Sequence, residues 1–181
     1  MPFVSTPVVA QGVADAIAAG TVQNLVGLFG EDGVPKAPRV PEGTLTGASA
    51  TLGGVAFEFD VFDNAEAPQQ LVIKLPEAGV IIIQDLLYNN ARFYPGADRT
   101  NWITILDGLR KLEGYNTVLV GHGAPTTRGE FDHGIEYLTY ANELVAKTNT
   151  AEDISSRLAA RFPSYGGTLL LSFWAQFFLA K

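Results

Sequence analysis

In the segment Val118-Leu119-Val120-Gly121-His122-Gly123-Ala124-Pro125-Thr126 a histidine stands between two glycines, directly after a short β-branched run. Such a run reads as a strand, so the imidazole of His122 is carried at its tip. A second apolar run, Val80-Ile81-Ile82-Ile83-Gln84, delivers Asp85 at its own end. Glycine on either side lets the backbone come close to a metal or a substrate, and strand ends beside loops are where sites are built. A carboxylate and an imidazole presented by two strand ends are ligands for a hard or borderline cation. Together they make half of a metal site, because zinc takes three or four ligands from the protein. Glu66, in the turn Asp63-Asn64-Ala65-Glu66-Ala67-Pro68, is the next candidate ligand. Each of the three also has a plain structural reading. His122 can bond neighbouring backbone in a glycine-rich turn, Asp85 can cap or turn the chain after a buried strand, and Glu66 can be solvated. His133 reads as a surface or helix-packing residue.

The elements that must position these groups follow from the hydrophobic pattern. Residues 7–20 are alanine-rich, with Val9, Val13, Ala16 and Ile17 at helical spacing, Thr6 as N-cap and Pro7 at the first helical position. After Gly30 the prolines Pro35, Pro38 and Pro41 mark a loop. From 44 to 85 the pattern is of strands, over 44–46, 50–52, 55–62, 71–75 and 80–84, joined by short turns. Alternation in the third favours antiparallel pairing with one face buried, and the unbroken apolar run of the last makes it central. Asp98 or Thr100 caps a helix reaching Leu112, with Trp102, Ile105, Leu106 and Leu109 on one face. Val118–Val120 returns to the sheet. Helices are predicted from Thr126 or Thr127 with Phe131, Ile135, Leu138 and Leu144 inward, then over 151–161 and 165–180. Strands followed by helices give an α+β or layered α/β domain.

Composition narrows the function classes. At 181 residues, with 47% hydrophobic and 17% charged residues, the chain reads as one globular domain spanning 1–181. Twelve basic against nineteen acidic residues, a net charge of -7, argue against a nucleic-acid partner, which needs a basic stripe. The absence of cysteine removes disulfides, thiolate catalysis and cysteine-bound zinc. Met1-Pro2-Phe3-Val4 has no basic, apolar leader pattern, and the apolar stretch 168–180 is too short to span a bilayer. A soluble, cytoplasmic protein without a membrane partner is expected.

Residues 71–146 resemble the metallo-β-lactamase superfamily of αββα sandwich hydrolases. The resemblance is carried by Leu71-Val72-Ile73-Lys74-Leu75-Pro76-Glu77, by Ile82-Ile83-Gln84-Asp85, by Trp102 in the following helix and by the Gly121-His122-Gly123 turn before a long helix. It implies that Asp85 stands where an aspartate bridges two metals and that His122 stands where a histidine binds the second. The family's HxHxDH signature is absent, since His122 and His133 are the only histidines. Val4-Ser5-Thr6-Pro7-Val8-Val9-Ala10 looks like the stretch just after that signature. Where the family generally has a third histidine the chain reads Asn64-Ala65-Glu66-Ala67-Pro68, which makes Glu66 a substitute ligand. The implied fold is an N-terminally truncated αββα sandwich with a mixed sheet and helices on its outer face.

Three functional expectations follow. The first is a truncated or degenerate relative of zinc hydrolases, binding zinc weakly through Asp85, His122 and Glu66. In the intact family a metal-bound hydroxide attacks a small-molecule ester, amide or thioester; this chain alone is expected to hydrolyse little. The second is a non-catalytic homodimer, since lost strands expose an edge and an apolar surface that a second copy can cover. The apolar tail 169–178 suits such an interface or a buried core helix. The third is a fragment of an active hydrolase whose HxHxDH lies upstream.

Overall fold

The computed structural model describes residues 3–93, 98–148, 150–168 and 171. The chain divides into two compact units, 1–47 and 48–181, where composition alone reads as one domain. In the first, helix α1 (Pro7–Ala18) begins as its sequence dictates, with Thr6 Oγ1 accepting from the Val9 N–H at 3.3 Å and Pro7 in the first turn. Helix α2 (Thr21–Phe29) follows after Gly20, whose φ of +83° turns the chain sharply. Strands β1 (Val4–Ser5) and β2 (Gly43–Thr44) pair in parallel as a separate two-stranded ribbon. The strand expected over 44–46 therefore does not open the main sheet. Its N-terminal residue pairs with β1, and Leu45 continues by donating its N–H to Ser5 O.

The second unit is built on a five-stranded sheet of order β3-β4-β5-β6-β7, comprising Ser49–Leu52, Val55–Asp63, Gln69–Leu75, Val80–Tyr88 and Thr117–His122. The first four strands are antiparallel neighbours, as short turns require. Gly53 and Gly54, both at positive φ, make the two-residue β3–β4 hairpin that only such residues allow. The β6–β7 pair is parallel, and helix α3 (Arg99–Leu109) lies in the crossover between them. β6 lies inside the sheet between β5 and β7, as its unbroken apolar run predicts, although the middle strand is β5.

One face of the sheet packs against helices. Val72, Ile81, Ile83 and Val118 are buried there with Trp102, Ile105, Leu106 and Leu109 of α3. Helices α4 (Glu130–Lys147) and α5 (Ala151–Arg161) add Phe131, Tyr137, Leu138, Leu144, Ile154 and Leu158 to the same core. Trp102 Nε1 donates to Leu86 O at 2.9 Å, which pins α3 on β6. The opposite face carries Ala50 and Leu52 on β3, Val55, Phe57, Phe59 and Val61 on β4, Leu71, Ile73 and Leu75 on β5, Val80 and Ile82 on β6, and Leu119 on β7. None of these twelve apolar residues is fully buried.

Helix boundaries differ modestly from the pattern. Asp98 caps α3 by accepting from the Asn101 N–H, and α3 ends at Leu109 rather than Leu112. α4 starts at Glu130, because Thr126 pairs with Val118 in a β-bridge instead of opening the helix. Residue 166 is bridged to Ala91, so no helix begins at 165; most of the predicted C-terminal helix lies outside the described residues. Buried Arg92 holds this region, donating to Phe162 O at 2.8 Å, to Thr168 Oγ1 at 2.7 Å and to Tyr165 O. Among the described residues no helix is long and apolar enough to cross a membrane.

Candidate metal centre

Asp85 does not end its strand. β6 runs on to Tyr88, and the register against β7 slips twice, from Ile82↔Leu119 to Gln84↔Val120 and then to Tyr88↔His122. The slip centres on Gln84, a non-glycine residue at φ +49°. Left-handed backbone costs such a residue about 1 kcal/mol or more and recurs at sites where a side chain is re-aimed. Here the irregularity sets the Asp85 carboxylate directly over Gly121: a Cβ on that glycine would meet Asp85 Oδ1 at 1.8 Å. Glycine at 121 is thus a steric requirement.

His122 is the last residue of β7, and its neighbours hold it from three sides. The Asn89 N–H donates to His122 O at 2.9 Å, and Asn89 Nδ2 donates to Ala124 O at 3.0 Å. Gly123 adopts φ +103°, with Asn89 O where its Cβ would be. The Tyr88 ring stacks on the imidazole at 4.9 Å between centroids and 11° between planes. His122 Nε2 then lies 3.7 Å from Asp85 Oδ1, and both side chains reach solvent, 56% and 43% exposed. That separation is too long for a hydrogen bond. It is close to the roughly 3.4 Å between two donors on one tetrahedral zinc with bonds of about 2.1 Å.

Glu66 sits in a tight turn in which the Asn64 N–H donates to Pro68 O at 3.0 Å and Ala65 is buried. Asn101 of α3 ties that turn down, its Nδ2 donating to Asp63 O and Asn64 O. Gln70 Nε2 donates to Glu66 Oε2 at 3.1 Å. Burial first, and then the negative charge of Asp85, push the Glu66 carboxyl up to about 7. Glu66 is therefore close enough to Asp85 for the two charges to repel. An open cavity of about 270 Å³ lies at the turn, lined by Asn64, Ala65, Glu66, Ala67, Pro68 and Asp98.

Nothing in the sequence singles out Tyr88, the last residue of β6. Its phenol is pushed well above its usual range by burial and by the charges of Asp85 and Glu66. It thus belongs with these carboxylates and His122. Its site role depends on the β6–β7 register, which no local pattern encodes. His133 is elsewhere, with Nδ1 3.3 Å from Glu130 Oε2 on α4.

The donor set fits a metal in part. Asp85 and His122 are spaced as two ligands of one ion. Yet among the described residues no three His, Asp or Glu side chains converge closely enough to hold one, and Glu66 stays outside bonding range of a shared ion. Two positions are provided where a zinc site needs three or four from the protein.

This fold, a mixed sheet backed by helices with a histidine and an aspartate at adjoining strands, is the metallo-β-lactamase fold. Two solved structures carry the likeness. A metallo-β-lactamase from Pontibacter korlensis superposes with a TM-score of 0.56 at 16% identity, over 77% of this chain and 58% of its own. The stereoselective inverting sec-alkylsulfatase Pisa1 from Pseudomonas sp. superposes with a TM-score of 0.51 at 19% identity, over 77% of this chain and 26% of its own. The chain thus spans less than two thirds of either structure. No protein-family model matches the sequence, and no curated protein matches it significantly.

Proposed function

We propose that this chain is a metallo-β-lactamase-fold protein related to zinc-dependent hydrolases that keeps part of a metal centre. In this reading Asp85 and His122 bind a divalent cation such as zinc, and Glu66 supplies a weaker third contact when its turn shifts toward them. The observation that carries it is the 3.7 Å spacing of Asp85 Oδ1 and His122 Nε2, held by Gly121 and Tyr88. Two fixed donors on an open site give weak, exchangeable binding. With two protein ligands where catalytic zinc sites have three, they would hold the ion too loosely to position a nucleophile against a substrate carbonyl. The chain alone therefore hydrolyses small-molecule esters, amides or thioesters negligibly.

Zinc titration by calorimetry, with hydrolysis of chromogenic esters and thioesters followed in parallel, tests this reading. Expected are affinity weaker than micromolar, loss of that binding in His122→Ala, and no turnover above background. Stoichiometric zinc at sub-micromolar affinity, with turnover abolished by His122→Ala, would show a complete hydrolase instead. Binding unchanged in both Asp85→Asn and His122→Ala would remove the site altogether.

A further inference from the structure

We infer that the face of the five-stranded sheet opposite α3, α4 and α5 is an interface closed by a second copy of this chain. The inference stands apart from the metal reading, because none of its residues is Asp85, His122 or Glu66. An antiparallel sheet with one solvated face shows polar side chains there. Here the polar members of β4 are on the helix side, where Glu58 and Asp60 pair with Lys74 at 3.4 and 2.8 Å. The side that a two-layer domain would leave to water carries Leu52, Phe59, Val61, Ile73, Ile82 and Leu119, from one edge strand to the other. Val55 and Val61 are 40% and 44% exposed. Apolar residues on both faces are the mark of a sheet that forms an inner layer.

The size and chemistry of this face favour a second copy as its occupant. Five strands about 4.8 Å apart and about 20 Å long present roughly 480 Å² of flat face, so two copies bury on the order of 1,000 Å², the lower bound for a specific interface. The apolar centre contains no charge that an identical face would leave unpaired, so a two-fold contact desolvates none. The polar residues Asp63, Gln69 and Thr117 lie at the margin of the face, as the rim of an interface requires. The net charge of -7 is therefore carried outside it.

Sedimentation and light scattering of the full chain from about 1 to about 100 μM test the inference. The expected species is a dimer of twice 19.3 kDa, with a dissociation constant of about 10 μM or tighter. Phe59→Lys should return it to monomer, whereas Lys111→Gln, in the exposed turn after α3, should not. Because the chain has no cysteine, Ile73→Cys gives a second readout that needs no charged substitution. Its thiol should react about four- to tenfold more slowly with a maleimide at about 100 μM protein than at about 1 μM. A monomer at about 100 μM, a dimer indifferent to Phe59→Lys while folded, or thiol reactivity independent of concentration would each overturn the inference. Capture of the face by detergent without self-association would do the same.

Discussion

Gly121 and Asp85 share one space: the carboxylate occupies the volume that any side chain at 121 would need, with Oδ1 1.8 Å from an ideal Cβ position. Gly121→Ala must therefore displace Asp85. The substitution should lower stability by about 1–3 kcal/mol, in the range of overpacking. It should also abolish whatever zinc binding the unchanged chain shows. Urea unfolding and zinc calorimetry on the same sample separate the two effects. Retained binding with Asp85 undisturbed would show that the metal does not use it.

The raised proton affinity of Glu66 makes a pH prediction with a definite sign. Its carboxyl goes from 4.5 to about 7 on folding, so between those values the folded chain holds a proton that the unfolded chain has released. Stability from this group falls as pH rises through that window, and the full penalty is present above it. In metal-free buffer Glu66→Gln should therefore be more stable than the unchanged chain by about 1–3 kcal/mol at pH 8 and nearly equal to it at pH 4. Thermal melts across this range check it. A constant difference at all pH values would place the charge repulsion elsewhere.

Tyr88 holds the plane of the His122 ring. The two are stacked, and Tyr88 is stacked in turn on Phe93 at 4.5 Å. Tyr88→Leu should leave the β6–β7 ladder intact, move the His122 ring resonances downfield as the ring current is lost, and weaken zinc binding. Tyr88→Phe should preserve both. With only two histidines in the chain, nitrogen-edited spectra assign these signals directly.

Arg92 ties the end of α5 to the segment after it. Its guanidinium reaches Phe162 O, Tyr165 O and Thr168 Oγ1 from a buried position, at the negative end of a helix dipole. Arg92→Met removes these donors, leaving Phe162 O only the Tyr165 N–H and Tyr165 O without its guanidinium donor, at a cost of about 2–4 kcal/mol. Hydrogen exchange should rise first over 159–168. Uniform loss of protection across the sheet would show instead that the segment unfolds only with the whole unit.

Much of the second unit was written in local pattern. The helix over Trp102, Ile105, Leu106 and Leu109 buries all four, and the strands of β3 to β5 follow their alternation. Helix α2 went unread although Val22, Leu25, Val26 and Phe29 have helical spacing, a signal available in the residues. The place of Asp85 within β6 was not available. Gln84 has no compositional mark of left-handed backbone, and the slip it makes answers to β7 across the sheet. Alternation in β4 showed that one face is apolar but not which face the helices take. Glu58 and Asp60 lie on the helix side because Lys74 neutralises them there.

Asn101 is the hinge pin on which the third candidate ligand hangs. Asp85 and His122 are seated in a ladder whose register the core enforces, whereas the turn bearing Glu66 is tied to α3 by the Asn101 amide and by the burial of Ala65. The two halves of the centre are thus unequally free to drift through evolution. A descendant can trade the residue at 66, or re-hang its turn, without refolding the sheet. A change of side chain at 85 is harder to separate from one at 121.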